Sequence, residues 1–447
     1  MVFRKTALFC FLLGLAGSFA GEPLILTLEE ATDLALRHNA TLSAAREKVE
    51  ESRAALGEAR AGFLPWVSGS AAYTKLDVAP FMPGKIFAEF TGAPPDMFPK
   101  RIPVGRDEIV GISMQIQQPV FTGFSLVNGY RMAREGIHAS EAELTRVQND
   151  LRYQVQEAYW GVIKAEKFVE VSREAIALVE GHVRDLNNLY DVGMITKNDL
   201  LKARVQLSNA RLMEIQAGNA LQLSGKALCS ILGIPLDSEI RLTQSLDYEP
   251  APVVAVSEAG RLALVQRPEI RAMEAGLGIQ KRAVNMAAAG YYPTLAVVAD
   301  LGYNRPDREY NMDFYTTWTV SVVASMNLFN WGATHYREMQ ARRQLNQLQD
   351  NFKGLQDGIR LEVTQTVLNV EEAEARIRIA ETNVAQAEEN QKVTKDLFQQ
   401  GMATNTDYLD AGTLLTQART DYISALADYK LAVARLKRAM GMFPKGE

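Results

Sequence analysis

An internal duplication is the feature of this sequence that most constrains its fold. Residues 151–233 align without a gap with residues 359–441, at an offset of 208 positions. Both segments contain the same phrase, which reads GMITKND from Gly193 and GMATNTD from Gly401. Self-similarity over such a length at a fixed offset is typical of a duplicated structural unit. The sequence therefore predicts a chain built from two copies of one unit.

Each copy predicts the same order of elements: helix, strand, loop, strand, long helix, turn, helix. The first structural repeat spans residues 21–233, the second spans residues 258–447, and an equatorial connector over 234–257 joins them. The helices are expected over about 28–62, 124–190, 199–233, 258–289, 334–398 and 407–441. The strands are expected over about 66–78, 109–121, 294–303 and 314–329.

The long helix of each copy carries a regular heptad repeat. In the first copy one heptad position is occupied by Val155, Val162, Val169 and Ile176. This spacing predicts coiled-coil packing, and about 65 residues at about 1.5 Å each predict a rod of roughly 100 Å. The glycine that starts each repeated phrase is then expected at a hairpin turn between two helices.

The predicted strands alternate apolar residues with small or polar ones. Val110, Ile112, Met114 and Ile116 illustrate the pattern in the first copy. A period of two over such a length fits either a half-buried soluble sheet or a tilted strand that crosses a bilayer. Four strands cannot close a barrel, and lipid does not tolerate an open sheet edge. If these strands cross a membrane, several chains must contribute strands, and three chains would supply 12.

The start of the chain fits a cleaved secretory signal over residues 1–20. Arg4 and Lys5 precede a short apolar run that ends in a small-x-small pattern. A membrane anchor is the alternative, although the run is too short to span a bilayer. We expect no lipidation, because the run lacks the required small residues before Cys10. Cys229 is then the only mature cysteine, which excludes an intrachain disulfide framework.

The rest of the sequence gives little indication of catalysis or of ligand binding. A formal charge of −5 argues against nucleic-acid binding. The sequence has no phosphate-binding glycine loop, nucleophile elbow or zinc pattern, so we expect neither enzyme activity nor a cofactor or metal ion. Cys229 is expected to pack inside a helical segment. The four histidines are far apart, and each is expected on an exposed helix face: His38, His138, His182 and His335.

Several motifs, in this order and twice over, resemble those of the TolC-like outer-membrane factor family. They comprise an opening of the form LALxxNxxL, a proline before each strand hairpin, the phrase PVFTG and the paired tips. The residues concerned are Leu34, Ala35, Leu36, Asn39, Leu42, Pro65, Pro293 and the segment from Pro119. The resemblance covers nearly the whole mature chain.

This resemblance implies a fold that is mostly α-helical with a membrane β-barrel. Three identical chains would form a 12-stranded barrel in the outer membrane, and their long helices would form an α-helical barrel that extends into the periplasm. The implied function is a passive duct that exports substrates from a tripartite efflux pump or a type I secretion system. The implied partners are a periplasmic adaptor (membrane fusion) protein, an inner-membrane transporter and outer-membrane lipid.

The resemblance also implies roles for the two tips. Residues of the adaptor-docking tips would be Gly193, Met194, Thr196, Leu200, Gly401, Met402, Thr404 and Tyr408. Residues of a periplasmic gate would be Asp407, Asp410, Phe398 and Asp199. In a trimer the two aspartates of the second tip would form two carboxylate rings that favour cations.

Two alternatives remain open on the sequence alone. Asp407 or Thr406 caps a helix, and Asp410 complements its dipole, without any gating role. Phe398 and Ala403 also occupy positions where some family members hold the mouth shut with a Tyr and an Arg, so a gate here would rely on other contacts or be looser. The rival function is a periplasmic coiled-coil scaffold or adaptor that does not span a membrane.

Overall fold

The computed structural model describes residues 24–252 and 254–443. The predicted signal over residues 1–20 therefore lies outside the described residues. Within them the helices are α1 (Leu28–His38), α2 (Ala40–Ala61), α3 (Gly84–Thr91), α4 (Ser125–Asp191), α5 (Lys197–Leu232), α6 (Val256–Gln266), α7 (Pro268–Ala287), α8 (Ala333–Gln399) and α9 (Asn405–Ala439). The strands are β1 (Leu24–Leu26), β2 (Trp66–Lys75), β3 (Phe81–Pro83), β4 (Arg101–Pro103), β5 (Glu108–Thr122), β6 (Ile240–Leu242), β7 (Thr294–Arg305) and β8 (Tyr315–Ser325).

The described chain divides into two compact units. The first comprises the described parts of Met1–Ser43, Val147–Gln266 and Ile359–Glu447, and the second comprises Ala44–Arg146 and Arg267–Gly358. Each unit takes segments from both predicted repeats. The packing of the chain therefore does not separate one repeat from the other.

The second unit contains a four-stranded sheet of order β2-β5-β7-β8 in which every pair is antiparallel. Its register places Ser70 opposite Ser113 and Leu301 opposite Trp318. A bulge between Pro119 and Phe121 shifts the register at one end of β5. Strands β2 and β8 are the two edges of this sheet, and each has one side without a partner strand among the described residues.

The PVFTG phrase ends at a glycine that the turn into α4 requires. Gly123 has a φ of +59°, and a Cβ atom at this position would lie 2.6 Å from the carbonyl oxygen of Ala289. Only glycine tolerates both a left-handed backbone and such a close approach of a neighbouring backbone. The small paired strands β3 and β4 precede this region, with α3 between them.

Two of the predicted helices are divided in the structure. The expected helix over 28–62 is interrupted at Asn39, whose side chain accepts hydrogen bonds from the backbone of Thr41 and Leu42 and so starts α2. The expected helix over 258–289 is interrupted at Arg267, which precedes Pro268 at the first position of α7. The residue before a proline is sterically excluded from the helical region, which explains this second break.

The core of the first unit follows the predicted heptad. Val155, Val162 and Val169 of α4 are buried, as is Val363 at the equivalent position of α8. Tyr159 is fully buried and donates a hydrogen bond from its hydroxyl to the backbone oxygen of Leu26 at 3.1 Å. The heptad residues therefore form the interior on which the helices of this unit pack.

The C-terminal ends of α1 and α5 meet in the same unit. The side-chain amide of Asn39 donates to the backbone oxygen of Ile231 at 3.0 Å. Gly233, which follows α5 with a φ of +73°, lies so close that an added Cβ atom would be 2.6 Å from the carbonyl oxygen of His38. This contact joins the two shorter helices end to end.

Candidate functional site

The two repeated phrases form two helix hairpin tips with the same backbone. Gly193 follows α4 with a φ of +77°, and Gly401 follows α8 with a φ of +74°. In each tip the N–H of the methionine that follows donates to a carbonyl of the last helical turn at 2.8 Å. Nothing lies within 4 Å of a Cβ atom added to either glycine. The glycines are therefore required by the left-handed backbone and not by crowding.

A threonine starts the returning helix at each tip. The hydroxyl oxygens of Thr196 and Thr404 accept hydrogen bonds from the backbone N–H of Asp199 and Asp407, both at 3.2 Å. Asp407 also accepts from the backbone N–H of Thr404 at 2.8 Å, which completes a capping box.

Asp407 therefore does take part in capping the helix, as one member of the capping box, whereas Thr406 is not the cap. Thr404 is the N-cap because its hydroxyl reaches the third N–H of α9, and Asp407 is the reciprocal partner at that third position. Hydrogen bonds from the Thr404 hydroxyl and backbone N–H lower the pKa of the Asp407 carboxyl. Asp407 and Asp410 are both exposed, so the gating role predicted for them stays a prediction.

The predicted docking residues differ in exposure. Met194 and Met402 are 73% and 66% exposed, which is unusual for such apolar side chains. Leu200 and Tyr408 are buried inside the hairpins. In the folded chain these two side chains support the tips from within, and the docking role of the tips stays a prediction.

The structure contradicts the expectation that His182 is exposed. The ring is only 2% exposed and stacks on Tyr408, with centroids 4.0 Å apart and planes 19° from parallel. Its Nε2 atom lies 2.7 Å from the side-chain oxygen of Asn405, and Phe398 lies edge-on at 5.0 Å. Burial holds the pKa of the His182 imidazole below its ordinary value of 6.5, because the charged ring would lose its hydration.

The sequence did not predict this cluster, because His182 is an isolated histidine with no second metal-ligand residue at a recognisable spacing. Its hydrogen-bond partner is 223 residues away along the chain. The one available hint is that His182 directly precedes Val183, a heptad position, and residues beside a heptad seam become buried when further helices pack there. Asn405 was likewise not anticipated.

The described residues hold no group of three or more His, Cys, Asp or Glu side chains that could bind a metal ion. Cys229 is a buried free cysteine in α5, and burial raises the pKa of its thiol. None of the helices in residues 24–252 and 254–443 combines the length and apolar character needed to cross a membrane.

Comparison with known proteins gives consistent matches. The family model described as outer membrane efflux protein matches residues 31–234 and 259–442. The alkaline protease secretion protein AprF of Pseudomonas aeruginosa is 24% identical over 343 residues, which cover 75% of this chain and 70% of that protein. The cobalt-zinc-cadmium resistance protein CzcC of Cupriavidus metallidurans is 25% identical over 421 residues, which cover 93% and 90%.

Two solved structures share the fold. The CmeC outer membrane channel of Campylobacter jejuni superimposes with a TM-score of 0.80 at 18% identity, covering 94% of this chain and 87% of that one. The outer membrane protein VceC of Vibrio cholerae gives a TM-score of 0.75 at 18% identity, covering 93% and 96%. These matches confirm the predicted fold class.

Proposed function

This chain belongs to the outer membrane efflux protein family, and we propose that it acts as a homotrimer whose three sheets close into one 12-stranded barrel. The family resemblance expected from the motifs is thereby confirmed. The chain is an outer-membrane channel for efflux or secretion, which sets aside the rival reading as a periplasmic scaffold.

The observation that carries the trimer proposal is the open sheet of the second unit. Its edge strands β2 and β8 each have an unpaired side, and one face of β8 presents Trp318, Val320 and Val322 with at least 64% of each side chain exposed. Exposed apolar area of this kind marks contact with lipid or with another chain. Unpaired backbone groups are not tolerated in lipid, so the edges must pair with further copies.

Three copies give the barrel size that suits a conduit. Three four-stranded sheets supply 12 strands, whereas two would supply eight, and an eight-stranded barrel is filled by its own side chains. In the trimer, strand β8 of one chain pairs with strand β2 of the next. We also retain the division into repeats 21–233 and 258–447, joined by the connector 234–257, as part of this proposal.

The tips are the proposed contact with the rest of the export machinery. The exposed docking residues are Gly193, Met194, Thr196, Gly401, Met402 and Thr404. A periplasmic adaptor would contact these residues and connect the channel to an inner-membrane transporter, either an efflux pump or a type I secretion system. Methionine side chains suit such a surface because they adapt to the shape of a partner.

The second tip is also the proposed periplasmic gate. In a trimer Asp407 and Asp410 would each form a ring of three carboxylates and favour cations. Phe398 and Asp199 would support this end from within, since Phe398 packs on the buried ring cluster and the backbone oxygen of Asp199 accepts a bond from Asn405.

The mass of the assembly extracted from outer membranes in mild detergent tests the proposal. After correction for bound detergent, we expect the mass of three chains. Recovery of a monomer or dimer from the periplasm without detergent would overturn both the trimer and the conduit.

A further inference from the structure

One buried side chain joins three helices at the second tip. The amide nitrogen of Asn405, the first residue of α9, donates to the backbone oxygen of Asp199 in α5 at 3.0 Å. The amide oxygen of the same side chain lies 2.7 Å from Nε2 of His182 in α4. Because the donation to α5 fixes the orientation of the amide, its oxygen faces the histidine as an acceptor. The imidazole therefore carries a proton on Nε2, from which it donates to Asn405.

The faces of the same imidazole are also occupied. Tyr408 of α9 stacks on one face, and Phe398 of α8 meets the ring edge-on. Together with the hydrogen bond to Asn405, these contacts fix the first turn of α9 against α4, α5 and α8. His182 contacts all three of the other side chains in this cluster.

A neighbouring polar group is left unsatisfied by this packing. Gln391 of α8 is buried beside Tyr408, and neither its amide oxygen nor its amide nitrogen makes a hydrogen bond of full geometry. An unsatisfied buried amide destabilises the packed arrangement.

We propose that His182 is the positioning residue of the second tip, which holds Asp407 and Asp410 in place while its ring is neutral and releases them when the ring takes a proton. The inference rests on the proposed function, in which these aspartates border the conduit. It also answers how a gate is held where Phe398 and Ala403 cannot make polar contacts.

The electrostatic surroundings set the direction of the pH effect. Burial lowers the pKa of His182 and outweighs two effects that favour the protonated ring, the hydrogen bond to Asn405 and the field of Asp185 on α4. The facing groups on the other helices are the Asn405 amide, the Tyr408 phenol and the Phe398 ring, none of which carries charge at neutral pH.

The direction of the pH effect follows from the pKa of His182 in the packed tip and in the released tip. In the released tip the imidazole regains its ordinary pKa of 6.5. The released tip therefore binds a proton more readily than the packed tip. The packed tip is fully stable above pH 6.5 and loses stability as the pH falls below that value. Acidification therefore favours release.

Single-channel recording of the full-length protein in planar bilayers tests this inference. We compare the wild type, His182→Gln and the matched control His138→Gln, whose histidine lies exposed on the same helix, between about pH 7.5 and about pH 5. Glutamine can donate to Asn405 but does not titrate in this range. We expect the open fraction of the wild type and the control to rise on acidification, and that of His182→Gln to stay constant.

A second variant measures the hydrogen bonds without a titrating group. Asn405→Ala removes both hydrogen bonds of this side chain, to Asp199 and to His182, and should shift the balance toward the released tip by about 30-fold at neutral pH. Hydrogen exchange of the backbone amides of residues 404–412, measured at one pH on the detergent-solubilised assembly, should accelerate by a similar factor. This readout remains available if the variant forms no channel.

The outcomes separate the two proposals. A wild-type channel whose gating is indifferent to pH, or a His182→Gln channel with the wild-type pH response, would overturn the role of His182 and leave the conduit intact. Unchanged exchange in Asn405→Ala would do the same. A wild type that gives neither a trimer nor any conductance would overturn the proposed function, and this inference with it.

Discussion

The end-to-end contact of α1 and α5 makes a quantitative prediction for Gly233→Ala. Two separate costs apply at this position. The left-handed backbone, with a φ of +73°, costs a residue with a Cβ atom about 1 to 2 kcal/mol. The added atom would also lie 2.6 Å from the carbonyl oxygen and 2.8 Å from the carbonyl carbon of His38. Because these are backbone atoms, relief requires the two helices to separate, and overpacking of this kind costs about 1 to 3 kcal/mol.

Gly401→Ala is the matched control. Its φ of +74° is nearly the same, but nothing lies within 4 Å of the added atom. We therefore expect a loss of about 1 to 2 kcal/mol for the control and about 2 to 5 kcal/mol for Gly233→Ala. The difference between the two variants isolates the contact with His38.

Thermal unfolding of the detergent-solubilised protein, followed by circular dichroism, measures both variants. At about 2 °C per kcal/mol for a large protein, the control should unfold about 2 to 4 °C below the wild type, and Gly233→Ala about 4 to 10 °C below it. Equal shifts for the two variants would refute the close approach of α5 to His38 and with it the end-to-end contact.

Three further predictions concern the tips and the core of the first unit. Replacing Asp407 and Asp410 together by Ala should reduce the cation selectivity measured by reversal potentials, and unchanged selectivity would remove both residues from the mouth. Thr404→Ala should destabilise the first turn of α9 by about 1 kcal/mol, seen as faster amide exchange there and not at the first tip. Tyr429→Phe removes a buried hydroxyl that accepts a 2.8 Å hydrogen bond from the connector backbone and should lower stability by about 1 kcal/mol; no change in the melting temperature would contradict that bond.

Local patterns in the sequence predicted the parts of the fold that depend on local chemistry. The duplicated Gly-Met phrase indicated two turns, because a glycine with a left-handed backbone ends a helix through hydrogen bonds within the same short segment. The break before Pro268 could have been predicted, since a proline restricts the residue before it. The break at Asn39 could also have been recognised, because asparagine is a common N-cap.

The interior of the tips depends on contacts between distant segments and could not be predicted in the same way. The burial of His182 follows from Asn405 and Tyr408, which lie more than 200 positions away along the chain. Leu200 and Tyr408 were expected at the surface because they belong to a motif with an implied docking role. A functional motif predicts where a segment lies, but it does not predict which of the side chains in that segment point inward.

The closure of the sheet by neighbouring copies is the central claim, and disulfide cross-linking between the two edge strands tests it most directly. In a Cys229→Ser background, Ser70→Cys on β2 is combined in turn with Thr317→Cys, Thr319→Cys or Ser321→Cys on β8, because the register places these residues on the same face of the sheet as Ser70. Within one chain these strands are separated by three spacings of about 4.8 Å, or about 14 Å, which exceeds the roughly 7 Å limit for a disulfide.

Only pairing between copies can therefore link the two edges. For at least one of the three pairs, oxidation in outer membranes should give a covalent species of three chains that resists denaturation without reductant, while each single-cysteine variant stays monomeric on the same gel. A ladder that continues beyond three chains, a covalent dimer as the end product, or monomers for every pair would contradict the closed trimeric barrel.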